Sequence, residues 1–303
     1  MPRPRAKLPA TPTRHAATPD SHLATTMEPL FTIPIAALPP NHPGGEIVCT
    51  VPRPRTYVLT FSSPPDNRMT TPFCRALLSA LDVLEFGDHE SGVVITTSAI
   101  PKFYSNGLDL EHAVATDGFW ALLYEVWRRF LTFPMPTIAL LNGHAFAGGL
   151  MLAMAHDYRL APHPKGFLCV NELLFGAPLK PAMAAIFRTK LTPQVYRNLV
   201  LEARRFTGAD AVEAGIADGL ADEGVESALK FIDARGIEDK GKTGVYGVIK
   251  AEMYKDLVRM LKSSGLEAED ARFDATQENE RERQEFGKVW YEQWQRENQK
   301  AKL

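Results

Sequence analysis

Glu172 lies in an otherwise apolar run, VNELLFG at residues 170–176, and is a candidate for acid–base chemistry. Burial disfavours the charged form of a carboxyl group, so we expect its pKa to rise toward the range that suits a general base. A solvated loop acid is the alternative interpretation when this residue is taken alone. The run therefore predicts a buried carboxylate that can take up a proton.

The segment FYSNGLDL, residues 103–110, could direct a main-chain donor into a cleft. The pair Asn106-Gly107 is a turn signal because both residue types tolerate a positive φ. Such a turn can leave the N–H of Leu108 free, and Asp109 can cap the helix that follows. The pair taken alone also fits a plain turn.

A second donor is predicted in NGHAFAGGLMLAM, residues 142–154, where small residues lead into an apolar helix. The first N–H groups of a helix lack intrahelical partners and carry the positive end of its dipole, so they suit an oxyanion. Gly148-Gly149 can equally mark close helix packing. His144 and His156 are interpreted as structural, since one is beside a turn and the other ends an apolar helix.

An alternation of strands and helices must position these segments. The pattern predicts a hairpin of two strands, then helices and short apolar strands in turn: strands at 46–51, 56–61, 93–97, 138–141 and 157–161, and helices at 70–84, 117–133 and 149–156. The second half is predicted to be helical, at 181–190, 193–201, 209–214, 226–234 and, as a pair or one long helix, 245–300. This order predicts an α/β fold with buried parallel strands.

Composition excludes several classes of partner and structural site. The chain has 303 residues, 45% hydrophobic and 23% charged, with a net charge of −2, which excludes a global basic field for nucleic acid or an anionic membrane. Three widely spaced cysteines without a CxxC motif argue against a disulfide framework and a structural zinc site, and favour a reducing compartment. The most apolar stretch, 138–155, is interrupted by polar residues and glycines, so no integral membrane segment is expected.

Residues 1–45 differ from the rest in being rich in Pro, Thr and Ala and basic at the start. This composition predicts a disordered tail. A mitochondrial presequence would share the basic character, but the prolines argue against its amphipathic helix. Met27 could also be an internal start.

Taken together, the three segments resemble the enoyl-CoA hydratase/isomerase (crotonase) superfamily. The resemblance covers residues 46–220 well and a helical C-terminal region, 221–303, loosely. It implies a crotonase-type spiral of ββα units, assembled as a homotrimer or a dimer of trimers. It also implies that the amides of Leu108 and Gly148 bind the thioester oxygen of an acyl-CoA, with further neighbours of the ligand at Ser105, Asn106, Gly107 and Asp109.

The number of carboxylates distinguishes the activities of that superfamily. Its hydratases use two glutamates, and the position of the first is Met151 here, whereas the second is Glu172. A single base resembles the Δ3,Δ2-enoyl-CoA isomerase branch, including plant peroxisomal isomerases. The resemblance implies a proton shift from C2 to C4 through a dienolate, without a metal or redox cofactor, coenzyme A entering only as part of the substrate. One alternative is a hydratase or another crotonase-type enzyme of specialised metabolism. The other is a non-catalytic binding protein. Such a protein could bind nucleic acid through the basic tail, which the overall charge balance disfavours.

The sequence ends in Ala301-Lys302-Leu303, a close variant of the Ser-Lys-Leu peroxisomal address. An import receptor reads such a tripeptide on an exposed tail, and the preceding residues are polar. We therefore expect this receptor as a partner and the peroxisomal matrix as the location, with the mitochondrion as the alternative.

Overall fold

A computed structural model describes residues 28–300, without the side chains of 263–266 and 298–300. Two sheets are present in this part of the chain. The larger sheet has seven strands: β1 (Phe31–Ile35), β2 (Gly45–Arg53), β3 (Thr56–Ser62), β4 (Val93–Ser98), β6 (Thr137–Leu140), β8 (Tyr158–Ala161) and β10 (Gly219–Leu220). The smaller sheet consists of β5 (Phe103–Ser105), β7 (His144–Phe146) and β9 (Leu168–Cys169). The first three strands pair antiparallel and all other pairs are parallel, so the predicted hairpin and α/β class are confirmed.

Helices cover the predicted positions. Within residues 28–300 they are α1 (Thr71–Phe86), α2 (Leu110–Ala115), α3 (Phe119–Thr132), α4 (Gly148–Ala155), α5 (Pro181–Lys190), α6 (Pro193–Val200), α7 (Gly208–Glu213), α8 (Val225–Arg235), α9 (Tyr246–Met253), α10 (Lys255–Met260) and α11 (Ser263–Lys300). The stretch 245–300, predicted as a helical pair or one long helix, consists of two short helices, α9 and α10, and the long α11. No helix of the described part combines the length and apolar character needed to cross a bilayer.

Helix α1 shows how local sequence sets an element. The hydroxyl of Thr70 accepts the N–H of Phe73, and a proline follows in the first turn, where its missing N–H costs nothing. Apolar side chains at helical spacing, including Phe73, Leu77 and Leu81, are fully buried. By contrast, every residue of α4 is buried, because this helix is apolar on all sides and packs between α3 and α5.

Residues 28–45 contradict the prediction of disorder across 1–45. Strand β1 pairs with β2 from Phe31 opposite Cys49 to Ile35 opposite Gly45, and Ile35 is buried. The physical reason is the alternating burial of FTIPI, which makes a half-buried strand at the sheet edge, where a proline is tolerated. Residues 1–27 lie outside the described residues, and so do the predictions of disorder there and of an internal start at Met27.

The smaller sheet brings the three chemistry-bearing segments together. In register, β5 pairs parallel with β7, and β7 pairs parallel with β9. Parallel strands end at the same edge of a sheet. The segments that follow, 106–109, 147–149 and 170–172, therefore leave the sheet side by side.

A buried ion pair attaches the C-terminal helices to the core. The ammonium of Lys250 on α9 lies 2.8 Å from the carboxylate of Asp157 and donates to the carbonyl of Phe130 at 2.8 Å. Both charged side chains are at most 8% exposed. Asp157 also accepts the N–H of Thr137 on β6, so the pair links α9, α3 and the large sheet.

We expect Lys250→Met to lower the free energy of unfolding by about 1–3 kcal/mol, since it leaves a buried acceptor without its charged partner. Urea denaturation at neutral pH measures this. The matched control is Lys255→Met, which removes an exposed pair with Glu252 and should cost at most about 1 kcal/mol. Equal effects of the two substitutions would contradict the assigned role of the buried pair.

Candidate active site

A cavity of about 560 Å³ opens where the three segments leave the smaller sheet. Leu108, Ala147 and Glu172 contribute to its lining, one from each segment. Much of the remaining wall is apolar, with Leu110, Val114, Trp120, Met183 and Phe273 from α2, α3, α5 and α11. The exposed carboxylate of Asp274 on α11 also lines it. A mostly apolar cavity with a few convergent polar groups is typical of a small-molecule site.

Glu172 is the buried carboxyl group of this cavity. It opens a 3-10 helix, Glu172–Phe175, directly after the short run that follows β9, and it is 8% exposed. Its Oε2 atom is buried and has no hydrogen-bond partner among the described residues. Burial raises the pKa to about 7, although the backbone N–H groups of Glu172 and Asn171 lower it in part. The group can therefore both accept and release a proton near neutral pH, as the sequence predicted.

The turn that carries the amide of Leu108 is held by hydrogen bonds to two of its carbonyls. Gly107 has φ +85°, which confirms the predicted turn, and its carbonyl accepts the N–H of Met69 at 2.8 Å. The guanidinium of Arg68 donates to the carbonyl of Leu108 at 2.9 Å. Among residues 28–300, the N–H of Leu108 has no hydrogen-bond acceptor, so it remains available to a ligand.

Gly148 begins α4 immediately beside that turn. The preceding Ala147 has φ +50° and ψ −124°, a strained conformation for a residue with a Cβ that turns the next peptide group. The N–H of Gly148 also lacks an acceptor in the described part of the chain. A Cβ on Gly148 would lie 3.5 Å from the nitrogen of Leu108, and a Cβ on Gly107 would lie 3.1 Å from the nitrogen of Gly148. Two free amides thus border one small space at the N-terminus of α4, where the positive end of the helix dipole lies.

Ser105 and Asn106 stabilise the turn through hydrogen bonds of their side chains. The hydroxyl of Ser105 donates to the carbonyl of Asn67 at 2.8 Å and accepts the N–H of Gly107 at 3.2 Å. Asn106 lines the cavity and donates from its side chain to Asp66 at 2.6 Å. Ser105 is fully buried by protein atoms, and a ligand contact for either residue stays a prediction.

Asp109 caps α2, as the sequence predicted. One carboxylate oxygen accepts the N–H of His112 at 3.0 Å, and the other lies 2.6 Å from Nε2 of His42. The side chain belongs to a different surface hollow from the cavity above. Its role as a ligand neighbour stays a prediction, and the contacts shown are with protein.

The two histidines near the segments have structural partners. His156 is fully buried, its ring stacks on Phe130, and its nitrogens lie within 2.9 Å of Thr96 Oγ1 and the carbonyl of Leu152. His144 accepts the N–H of Phe167 at 3.1 Å. These contacts agree with the structural interpretation of both residues.

Several cavity residues carried no signal in the sequence. Arg68 follows a loop with no periodic pattern, and Lys180 and Phe273 lie on elements far along the chain. The ammonium of Lys180 lies 3.0 Å from Asp270 of α11 and 4.9 Å from the ring of Trp120. Long-range packing, which the sequence does not display, brings α3, α5 and α11 to one wall.

Comparison with known proteins identifies the family. Residues 55–297 match the family described as enoyl-CoA hydratase/isomerase. The peroxisomal enoyl-CoA delta isomerase 2 of Arabidopsis thaliana is 32% identical over 229 residues, which are 71% of this chain and 95% of that protein. This chain belongs to the enoyl-CoA hydratase/isomerase family. The mitochondrial enoyl-CoA delta isomerase 1 of Homo sapiens is 27% identical over 172 residues, 55% of this chain and 57% of the relative.

The fold is that of the same family. The apo structure of a Mycobacterium tuberculosis enoyl-CoA isomerase superimposes with a TM-score of 0.65 at 23% identity, covering 74% of this chain and 97% of that one. The predicted crotonase-type fold is therefore confirmed. The two free amides and Glu172 lie in the three sequence segments that resemble this family.

Proposed function

We propose that this protein is a Δ3,Δ2-enoyl-CoA isomerase, which moves the double bond of a 3-enoyl-CoA to the 2-trans position in fatty acid β-oxidation. One observation carries the proposal. Glu172, a buried carboxyl group whose Oε2 has no hydrogen-bond partner among the described residues, lines the same cavity as Leu108 and Ala147. The amides of Leu108 and of Gly148, which follows Ala147, have no acceptor in the described part of the chain. The delta isomerase relatives support it.

The chemistry balances with these groups alone. Glu172 takes the proton from C2, and the electron pair of that C–H bond spreads over a dienolate whose charge lies on the thioester oxygen. The amides of Leu108 and Gly148 donate to that oxygen, and one such donor is typically worth about 2.7–4 kcal/mol. Glu172 then returns the proton to C4, so no metal or redox step is required.

Hydration is the rival activity within the family. Adding water requires a water molecule to be held and activated, for which the family hydratases use a second glutamate. The corresponding position is Met151, a thioether that is fully buried in α4 and cannot move a proton. This observation favours the isomerase over the hydratase.

The direct test supplies the purified protein with a 3-enoyl-CoA and measures the 2-enoyl-CoA formed. We expect turnover, and little 3-hydroxyacyl-CoA when 2-trans-enoyl-CoA is supplied instead. Absence of isomerisation together with rapid hydration would contradict the proposal. Binding of acyl-CoA without any turnover would instead support the non-catalytic alternative.

The pH dependence follows from Glu172. The base must be ionised to act, and burial raises its pKa to about 7 in the free enzyme. We therefore expect kcat/KM to be constant above neutral pH and to fall about tenfold per pH unit below it. A profile of kcat/KM that stays flat down to pH 5 would contradict the assignment of Glu172.

Assembly and location remain predictions under this proposal. A homotrimer or dimer of trimers is expected from the family, and coenzyme A is expected only as part of the substrate. Relatives with peroxisomal and mitochondrial names are both similar to this chain. We propose the peroxisome, although Ala301-Lys302-Leu303 lies outside the described residues.

A further inference from the structure

A tight loop at residues 38–42 contacts the turn that carries Leu108. Leu38 and His42 exchange backbone hydrogen bonds of 2.8 and 3.1 Å, which fix the loop. This loop precedes the family match at residues 55–297, so the family comparison does not include it. His42 is 7% exposed, and its Nδ1 is buried without a partner among the described residues.

His42 binds the residue that follows Leu108. Its Nε2 lies 2.6 Å from Oδ2 of Asp109, while Oδ1 of the same carboxylate accepts the N–H of His112 at 3.0 Å. Burial alone would raise the pKa of Asp109, but the donors from His112 and His42 outweigh it and hold the pKa below its ordinary value. The carboxylate is therefore charged and clamped between the loop and the first turn of α2.

The ring nitrogens of His112 have other partners. Its Nε2 accepts the backbone N–H of Thr71 at 3.0 Å, and its Nδ1 lies 3.1 Å from Oγ1 of Thr116. An imidazole that accepts at Nε2 is neutral, in agreement with the lowering of its pKa, chiefly by burial. His112 thus ties α2 to α1, whereas His42 is the side chain that reaches the Asp109 carboxylate.

The turn is consequently held from two sides. Arg68 and Met69 hold the carbonyls of Leu108 and Gly107 from one side, and Asp109 is held from the other. We propose that His42 is a positioning residue for the oxyanion hole, acting through Asp109 to fix the amide of Leu108. This inference rests on the proposed function, because it assigns that amide to the transition state.

The test compares His42→Ala with His42→Gln, whose amide Nε2 can still donate to Asp109. Because the hole stabilises charge that develops in the transition state, we expect His42→Ala to lower kcat on the order of 10-fold, with KM changed less than about twofold. His42→Gln should restore most of kcat. Asn41→Ala, an exposed neighbour in the same loop, is the matched control and should match wild type.

A second readout separates this inference from the proposed function. Hydrogen–deuterium exchange of the peptide spanning 108–115 should rise in His42→Ala, but not in His42→Gln or Asn41→Ala. Unchanged exchange in His42→Ala would overturn the inference, as would increased exchange with unaltered kcat. If the wild-type protein fails to isomerise 3-enoyl-CoA, the proposed function fails by itself, and exchange alone then decides whether His42 holds the turn.

Discussion

Glu172→Gln is expected to lower kcat for a 3-enoyl-CoA by about 10²- to 10⁴-fold, the usual contribution of a positioned acid–base group. The amide keeps the shape of the side chain but cannot take the proton from C2. KM should change little, because the rest of the cavity lining is retained. Steady-state kinetics with a 3-enoyl-CoA measure both constants, and a variant with near wild-type turnover would show that another group is the base.

Folding stability provides the control for this variant. The pKa of Glu172 is raised to about 7, so the folded state binds the proton more tightly than the unfolded chain does. The resulting stabilisation is complete below the ordinary carboxyl pKa and is lost as the pH rises through 7. Glu172→Gln should therefore unfold at the same or a higher urea concentration than wild type at pH 8, and the difference should shrink near pH 4.5. Lost activity with retained stability identifies a chemical defect.

Gly148→Ala is expected to lower kcat by about 10²- to 10³-fold, the typical effect of losing one oxyanion donor. The added methyl group would lie 2.9 Å from Cδ2 of Leu108 and 3.5 Å from its nitrogen, in the space between the two amides. The oxygen of the dienolate could then no longer reach both donors. Activity within about threefold of wild type would show that the thioester oxygen binds elsewhere.

The matched control for this substitution is Gly287→Ala on α11, where an added Cβ meets no atom within 4 Å. Its kinetics should equal those of wild type. Alanine favours a helix over glycine by up to about 1 kcal/mol, so neither variant should unfold more easily through helix propensity. The two variants together separate an effect on the oxyanion hole from a general effect of replacing glycine.

The predictable part of the fold comes from local signals. Helical spacing of apolar residues indicated α1 and α3, and the Asn106-Gly107 pair and Asp109 indicated a turn and a cap that the structure contains. Glu172 stood out because a lone acid in an apolar run is unusual. Each of these signals lies within a few residues of the feature that it predicts.

The rest depends on pairing and packing over long distances. Strands β5, β7 and β9 have two or three residues each, too few for a periodic pattern, yet their parallel pairing aligns the three segments. β1 lies in a stretch whose composition suggested disorder, and it is ordered by pairing with β2. The positive φ of Ala147 had no signal, because alanine seldom adopts it.

In the proposed reaction, one carboxylate serves both C2 and C4 while two amides hold the thioester oxygen. The most direct measurement is a crystal structure of Glu172→Gln with a 3-enoyl-CoA bound. We predict a thioester oxygen about 2.7–3.1 Å from the nitrogens of both Leu108 and Gly148, with residue 172 facing C2 and C4 from one side. A thioester oxygen bound away from these amides, or a side chain at 172 turned away from the acyl chain, would contradict this mechanism.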